Sequence, residues 1–429
     1  MKRKRELRDN NINFKEELIA ALTSFFAVVY IVVVNSAILS DGGIPLEGAI
    51  IATVLASATG CLLMGFLGKT PIILVPGMGV NALFSYTIIK SMGLPPGQAL
   101  AVVFLSGIIF LAIAFTKIGE ELLRSIPDSL KEGIGVGIGI LITFIGLQKS
   151  GIIVSNPSTF VALGDIKNPQ VYTTLINLIL TLFLFVRGIK GSFLFGIIGG
   201  TVISYLFGGV DLSQISLSLF SLEDYRSLFF SMDFSGISNV SFWIGVFSIT
   251  LVLVFENIGL LHGQVNVMLN KEDRFKDSFK ACAISSMLSG IFGTSPTVVA
   301  IEGATGITSG GKSGWTSIFT GILFLTSLFF IPFIKVIPNS AIAPVLIIVG
   351  SLMVTNILNI PLKDFEEGFP AFLTIVTIPL TFSIVDGMAF GFVAYPLIKI
   401  MKGEGKKVSF TMYIISTMFL MSFLVKIFI

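Results

Sequence analysis

Long apolar segments alternate with short polar connectors along nearly the whole chain. A helix needs roughly 20 apolar residues to cross the hydrocarbon core of a bilayer, and the sequence supplies one such run after another. The predicted spans cover residues 16–39, 47–67, 71–88, 98–116, 130–149, 170–187 and 191–209, then 240–262, 276–293, 295–309, 315–337, 340–358, 369–384, 386–401 and 408–428. The pattern predicts an all-α polytopic membrane protein with about fourteen transmembrane segments, and it leaves one apolar run unplaced.

Two short motifs occur once in each half of the chain. The frame Gly-x-x-Gly-x-[Thr/Ser]-Pro appears at Gly65–Pro71 and again at Gly290–Pro296, and Ile-Pro-[Asp/Asn]-Ser appears at 126–129 and again at 337–340. Chance similarity among glycine-rich packing motifs is the alternative explanation, but the preserved order of the two matches disfavours it. Because about seven spans separate the copies, the halves must be oppositely oriented, as in the inverted repeats of secondary transporters.

Each predicted repeat contains one segment that does not look like a plain spanning helix. Pro71–Tyr86 and Pro296–Ser309 begin with proline, are short and carry glycines halfway along. Their first residues are largely β-prone, which predicts a short extended piece followed by a half-helix. Irregular backbone at membrane depth is tolerated only where protein buries it or where it lines a cavity. We therefore expect two broken segments at the midplane, with the binding site between them.

The composition excludes a soluble domain. Hydrophobic residues make up 54% of the 429 residues and charged residues 12%, with a mean hydropathy of +0.94, whereas soluble domains are about one-quarter charged. Cys61 and Cys282 both lie in apolar runs, which argues against a disulfide framework. The sequence shows no nucleophile cluster, metal-ligand cluster or phosphate loop, so we predict no enzyme activity, metal or cofactor. An intramembrane enzyme or a channel is the alternative class, and the lipid bilayer, not nucleic acid, is the expected surface partner.

The charge distribution predicts the orientation. The net charge of +3 mostly reflects the basic residues within 1–8, which mark a cytoplasmic N-terminus in the plasma membrane. The first apolar run is too long for a cleavable signal peptide, and the stretch 211–233 is poor in Lys and Arg, as expected outside the cell. The predicted organisation is a cytoplasmic tail at 1–15, a first repeat at 16–209, an extracellular connector at 210–239 and a second repeat at 240–429.

Two carboxylates lie inside predicted spans. Glu256 is in the middle of one span and Glu302 is in the second broken segment, and charges at such positions are costly and functional by default. A structural ion pair is the alternative for each, and for Asp386 a structural role is favoured. A poorly hydrated cavity favours the protonated form of a carboxylate, so we predict that both groups couple transport to protons. Each can also accept hydrogen bonds from ring N–H or amino groups of a ligand.

The first broken segment supplies further candidates for substrate binding. In the repeat alignment Gly77 is opposite Glu302, so one half offers bare backbone where the other offers a carboxylate. A helix that starts here, at Gly77, Met78 and Gly79, aims unpaired N–H groups at electron-rich atoms of a ligand. Three further side chains are candidates for lining the cavity: Asn35, Asn81 and Phe84. The two amides serve helix–helix hydrogen bonding equally well, and Phe84 is one of 40 Phe residues, for which packing is the commoner role.

Four stretches of the chain resemble the AzgA-type purine permeases: residues 30–41, 76–86, 126–139 and 379–392. These permeases belong to the wider nucleobase/cation symporter group with uracil and xanthine permeases, and the resemblance covers nearly the whole chain. It implies two inverted seven-span repeats, with a substrate-holding core made of spans 1–4 and 8–11, a gate made of the others, and a homodimer. The key carboxylates of the family fall on Glu256 and Glu302.

The resemblance implies proton-coupled import of purine bases. Many members carry Asp-Thr where this chain has Glu256-Asn257, so we expect the longer acid and the amide to reshape the purine pocket. A glutamate can meet the adjacent N–H and amino donors of guanine, which favours guanine and hypoxanthine over adenine. A uracil, xanthine or small-anion carrier on the same fold is the alternative, although an oxyanion would require a basic residue in the site.

Overall fold

The computed structural model describes residues 13–116, 125–210 and 222–428. Within these ranges nine helices are long and apolar enough to cross a membrane, and shorter helices and four short strands complete the chain. The basic cluster at residues 1–8, on which the predicted orientation partly depends, lies outside the described residues. So does the stretch 211–221 of the predicted extracellular connector.

The first half runs from a long N-terminal span to a helical hairpin. Its elements are α1 (Phe14–Val28), α2 (Tyr30–Asp41), α3 (Leu46–Leu63), β1 (Leu74–Pro76), α4 (Met78–Ala82), α5 (Pro96–Phe115), α6 (Asp128–Lys149), β2 (Ile153–Asn156), β3 (Phe160–Leu163), α7 (Pro169–Val186) and α8 (Ser192–Leu206). Helices α1 and α2 form one apolar span of 28 residues, and a π-helical segment, Leu83–Ser91, continues α4. Strands β2 and β3 form a small antiparallel hairpin.

Among the described residues, the second half repeats the order of the long helices and of the broken segment, lacks a counterpart of the β2–β3 hairpin and has additional helices. Its elements are α9 (Leu222–Leu228), α10 (Val240–Leu261), α11 (Phe275–Phe292), β4 (Thr297–Val299), α12 (Ala304–Thr308), α13 (Gly314–Thr326), α14 (Ile331–Ile334), α15 (Asn339–Val354), α16 (Phe365–Thr381), α17 (Ile384–Met401) and α18 (Phe410–Phe428). The hairpin of α16 and α17 occupies the place that α7 and α8 occupy in the first half. Helix α18 follows it and accounts for the apolar run that the sequence left unplaced.

The two broken segments meet in an antiparallel pair of strands, β1 and β4. Leu74 lies opposite Val299, and each of these residues follows the proline of its repeat motif, Pro71 or Pro296, by three positions. The register therefore pairs a residue with its own repeat equivalent, which requires the approximate two-fold axis to pass through this pair. The strand residues are buried, so their pairing satisfies backbone groups that water cannot reach.

Helices α6 and α15 occupy equivalent places in the two repeats and pack closely against each other. Their contact obeys the same approximate two-fold symmetry as the strand pair. A Cβ placed on Gly139 of α6 would lie 2.7 Å from the Gly350 carbonyl oxygen, and a Cβ on Gly350 of α15 would lie 2.4 Å from the Gly139 oxygen. Both glycines follow the Ile-Pro motif of their repeat by the same distance. Small residues let the two helix backbones touch, as is typical of membrane interiors.

A buried carboxylate fastens the first helix to the second repeat. Glu17 of α1 is 4% exposed and accepts hydrogen bonds from the N–H groups of Lys312, Ser313 and Thr316 at 3.1 to 3.2 Å, and also from the Thr316 hydroxyl. These donors lie at the N-terminus of α13, where a helix favours negative charge. The contact places α1 firmly beside the segment that follows β4.

Candidate functional site

Glu302 lies between the end of β4 and the start of α12, where the second broken segment changes from strand to helix. Its side chain is half-buried, and its Oε1 accepts a hydrogen bond of 2.7 Å from the Tyr30 hydroxyl. Tyr30 is the first residue of α2 and is itself buried. The carboxylate is therefore held by a donor from the first span of the other repeat.

Glu256 lies on α10 and is half-buried. Among the described residues its carboxylate has no hydrogen-bond or ion-pair partner. The next residue, Asn257, is fully buried; its Oδ1 accepts the Val299 N–H at 3.1 Å and its Nδ2 donates to the Leu253 carbonyl at 2.8 Å. This amide, expected from the sequence to shape the pocket, is instead occupied by backbone groups, because the N–H of β4 needs an acceptor in an apolar interior.

The two carboxylates flank the same strand. Asn257 fixes α10 to Val299 directly beside Glu256, and Glu302 follows Val299 by three residues. Three residues of chain span at most about 11 Å, so the backbone positions of both acids lie near the C-terminal end of β4. The binding site between the broken segments stays a prediction.

Two glycines follow Glu256 along the same span. Gly259 lies in α10, and Gly263 lies in the π-helical segment His262–Met268 that continues it. A Cβ built on Gly259 or on Gly263 would meet no atom within 4 Å, and Ile301, directly before Glu302, is 62% exposed. Both glycines therefore leave open space beside the helix.

The helix α4 begins where the first broken segment reaches the strand pair. Gly77 donates its N–H to the Pro296 carbonyl at 3.3 Å, so this residue extends the strand pairing and its N–H is not free for a ligand. A Cβ at Gly77 would lie 2.5 Å from the Val298 side chain, which explains the glycine. The free donors begin one residue later, because the first N–H groups of a helix, here those of Met78 and Gly79, lack an intrahelical acceptor.

Asn35 takes part in a buried network between helices. It is fully buried, donates from Nδ2 to the Thr53 hydroxyl at 2.8 Å and to the Thr294 hydroxyl at 3.1 Å, and accepts from the Ser295 hydroxyl at 3.1 Å. Of the two roles that the sequence leaves open, the geometry supports hydrogen bonding between segments. No polar atom of this amide remains for a ligand in this conformation.

Asn81 and Phe84 lie deeper than the predicted lining. Phe84 is fully buried within the apolar core, so neither face of its ring can stack on a ligand in this conformation. Asn81 is also fully buried; its Nδ2 contacts the Met78 sulfur at 3.7 Å, and its Oδ1 lacks a hydrogen-bond partner among the described residues. Asp386 lies in the first turn of α17, and its backbone N–H donates to the Ser383 hydroxyl; the structural role of its side chain stays a prediction.

Sequence analysis missed two side chains that build the site. Tyr30 holds Glu302, and Gln264 donates from Nε2 to the Ala300 carbonyl at 2.8 Å. Gln264 follows Asn257 by seven positions, so both amides lie on one face of the same helical segment, and they bind backbone groups of two consecutive residues, Val299 and Ala300. A pair of amides at this spacing in an apolar span is a signal that could have predicted a backbone partner.

Two ion pairs join helix ends away from the site. Lys149, the last residue of α6, lies 2.8 Å from Oδ1 and 2.7 Å from Oδ2 of Asp41, the last residue of α2. The Tyr86 hydroxyl donates to the same carboxylate at 2.5 Å. A second pair joins Glu47 in the first turn of α3 to Lys335 after α14.

Comparison with known proteins finds relatives along the whole chain. The family described as "Permease family" (Xan_ur_permease) matches residues 15–390. The nucleobase transporter PlAzg2 of Paenibacillus larvae is 47% identical over 386 residues, which cover 90% of this chain and 77% of that protein. The guanine/hypoxanthine permease PbuO of Bacillus subtilis is 35% identical over 94% of this chain and 95% of its own. The adenine permease AdeP of Escherichia coli is 31% identical over 97% and 94%.

Among solved structures, the chain is similar to the transmembrane domain of the cyanobacterial bicarbonate transporter BicA. The TM-score is 0.65 and the identity 15%, with 89% of this chain and 98% of that domain covered. At this identity the likeness concerns the fold alone. It confirms the predicted fold class of two inverted repeats with two broken segments.

Proposed function

Because the chain belongs to the permease family of xanthine and uracil carriers, we propose that it imports purine nucleobases together with a proton. It is a multi-pass membrane transporter and not an enzyme. Two observations support the proposal: Glu302 follows β4 and is held by Tyr30, and Glu256, next to the Asn257 that binds β4, lacks a protein partner among the described residues. Relatives with 31 to 47% identity are named as nucleobase, guanine/hypoxanthine and adenine carriers.

The donors and acceptors of a purine base complement this site. Carboxylates accept hydrogen bonds from ring N–H and exocyclic amino groups, and the first N–H groups of α4 can donate to a ring carbonyl or ring nitrogen. Guanine presents an N–H and an amino group side by side, which one carboxylate accepts with both oxygens, and hypoxanthine keeps the N–H. Adenine lacks that N–H, so we propose guanine and hypoxanthine as the preferred substrates. Two carboxylates repel an oxyanion, which disfavours the small-anion alternative.

Glu256 is the proposed proton carrier. A charged carboxylate without a partner is costly away from water, so this group gains most by binding a proton before the site is enclosed. Glu302 is the second candidate, since it too lies at the end of β4. A proton on Glu256 lowers the negative charge of the loaded site by one, which lowers the cost of carrying it across the membrane.

Alternating access follows from a division of the fold into two bodies. We propose a core formed by spans 1–4 and 8–11, which include both broken segments, and a gate formed by the remaining spans, which include the α6–α15 contact. The two repeats at 16–209 and 240–429 each contribute to both bodies. With a cytoplasmic N-terminus in the plasma membrane, movement of the core past the gate exposes the site to each face in turn. The homodimer implied by the family resemblance stays a prediction.

The test is uptake of radiolabelled hypoxanthine by cells that lack their own purine carriers. We expect saturable uptake that guanine inhibits more strongly than adenine and that a protonophore collapses. Glu256→Gln and Glu302→Gln should each abolish uptake while the protein remains in the membrane at normal amounts. Glu272→Gln, at an exposed position between α10 and α11, is the matched control and should transport normally.

Three outcomes would contradict parts of the proposal. Normal uptake by both site variants would refute the assignment of the carboxylates. Uptake that is insensitive to the protonophore would refute proton coupling. Stronger inhibition by uracil or xanthine than by guanine would favour the alternative substrates on the same fold.

A further inference from the structure

We propose that Tyr30 is a positioning residue for the Glu302 carboxylate, which it fixes through Oε1 so that Oε2 is the oxygen presented to the substrate. The inference rests on the proposed function and deepens it, because it assigns different roles to the two oxygens of one acid.

The donor, the Tyr30 hydroxyl, comes from a distant part of the chain and is held in place by the packing of its ring. Tyr30 and Glu302 are 272 positions apart, and the hydroxyl lies 2.7 Å from Oε1. The tyrosine is 3% exposed, and its ring packs edge-on against Phe193 of α8, with ring centroids 5.0 Å apart. Phe193 in turn stacks on Phe185 at 5.6 Å. Because the ring is enclosed in this way, its hydroxyl cannot follow a carboxylate that rotates away.

The chemistry of a phenol distinguishes the two carboxylate oxygens. In this structure the phenolic O–H of Tyr30 donates to Oε1, which therefore acts as the acceptor. While that bond is in place, a proton bound by Glu302 is on Oε2. Among the described residues no other side chain hydrogen-bonds this carboxylate, and its one further polar contact is with its own backbone N–H. An ionised Oε2 accepts from a ring N–H of the base, and a protonated Oε2 donates to a ring nitrogen or carbonyl.

A pure packing role for Tyr30 makes a different prediction. The contact with Phe193 involves the ring, which phenylalanine would preserve, whereas the contact with Glu302 involves only the hydroxyl. The substitution Tyr30→Phe therefore removes the positioning contact and keeps the packing contact. Substrate affinity, measured separately from maximal rate, distinguishes the two roles.

The experiment compares the kinetics of hypoxanthine uptake by Tyr30→Phe and by the unmodified protein. Loss of a hydrogen bond to a charged group changes an equilibrium constant by about 10- to 100-fold. We therefore expect KM to rise about tenfold or more. The maximal rate per transporter should change much less. Tyr172→Phe is the matched control, because Tyr172 also packs edge-on against a phenylalanine, Phe207 directly after α8, but does not contact either acid; its KM should be unchanged.

A double-mutant cycle tests whether Tyr30 acts through Glu302. Glu302→Asp shortens the acid by one methylene, so its carboxylate no longer reaches the tyrosine hydroxyl. In that background Tyr30→Phe should add little to the rise in KM, whereas independent roles would give additive effects. Additive effects, or an unchanged KM in Tyr30→Phe, would overturn the proposal.

The stability of the purified protein guards against a folding artefact. We expect Tyr30→Phe to keep the melting temperature of the unliganded protein but to lose most of the rise in melting temperature that saturating guanine produces. A large drop without ligand would instead show that the hydroxyl is structural and overturn the positioning role. The proposed function itself would be overturned if the unmodified protein took up no base and its melting temperature did not respond to guanine. The positioning role alone would be overturned if the unmodified protein transports and Tyr30→Phe behaves like it.

Discussion

Removal of the Lys149 charge should shift the balance between transport conformations. Lys149 ends α6 and pairs with Asp41 at the end of α2. In the proposed division, α2 belongs to the core and α6 to the gate, so movement of one past the other must break this pair. The pair therefore stabilises the conformation described above relative to the one in which it is broken. Lys149→Met removes that preference while it keeps an apolar stem of similar length.

The size of the shift follows from the geometry of the pair. The side chains of Lys149 and Asp41 are 14% and 26% exposed, so water screens them only in part. Unit charges about 3 Å apart attract by about 5 kcal/mol at an effective dielectric constant near 20. Desolvation and side-chain ordering offset most of this attraction. A net preference of about 1–2 kcal/mol remains, which corresponds to a population shift of roughly 5- to 30-fold.

Chemical labelling of an introduced cysteine can measure this shift. Gly259 lies three positions after Glu256, a Cβ there would meet no atom within 4 Å, and the natural cysteines, Cys61 and Cys282, are both buried. The rate at which a small maleimide modifies Gly259→Cys should be proportional to the fraction of protein in this conformation. When Lys149→Met is added, we expect labelling to slow by up to the same 5- to 30-fold factor.

A second ion pair provides the control. Lys335→Met removes the contact with Glu47, but the two partners belong to spans 2 and 11, which both lie in the proposed core. It should therefore leave the labelling rate of Gly259→Cys unchanged, although it removes a charge of the same kind. Equal slowing by both variants, or no slowing by Lys149→Met, would show that the Asp41 pair does not report on core–gate movement.

Two further variants test contacts that support the site. Glu17→Gln should lower the melting temperature of the purified protein by a few degrees, because a neutral amide accepts hydrogen bonds from the N–H groups of the helix terminus more weakly. The control Glu16→Gln, at an exposed position, should leave the melting temperature unchanged. An equal effect of both variants would contradict the capping role of Glu17. Asn257→Ala leaves the Val299 N–H without its acceptor, which costs about 1–3 kcal/mol. We therefore expect a higher KM for uptake at an unchanged amount of protein. An unchanged KM would contradict the view that this amide holds β4 in place.

The repeats and the broken segments could be predicted from the sequence because proline and glycine constrain the backbone locally. Pro71 and Pro296 end a helical frame, and the β-branched residues after them favour extended chain. The structure confirms both features. The exact ends of spans were less certain, and α18 could not be placed because hydropathy alone does not distinguish a repeat element from an added helix.

The polar contacts of the site could be predicted only in part. Glu256 and Glu302 are conspicuous because charge is rare in apolar spans, but the hydroxyl that holds Glu302 belongs to a tyrosine 272 positions away. Phe84 shows the opposite problem. Nothing in the local pattern distinguishes a ring that lines a cavity from the many rings that fill the core, and only the three-dimensional packing reveals that this one is enclosed.

The register of β1 and β4 bears on the origin of the fold. When two identical molecules associate about a two-fold axis, any contact on the axis sets a residue against its own copy. Leu74 opposite Val299, and Gly139 against Gly350, reproduce that arrangement within one polypeptide. A half-length ancestor inserted in both orientations could have formed the same strand pair as a dimer. Because the two halves are joined in one polypeptide, equivalent positions need not carry the same residue: position 302 is an acid, whereas position 77 is a glycine.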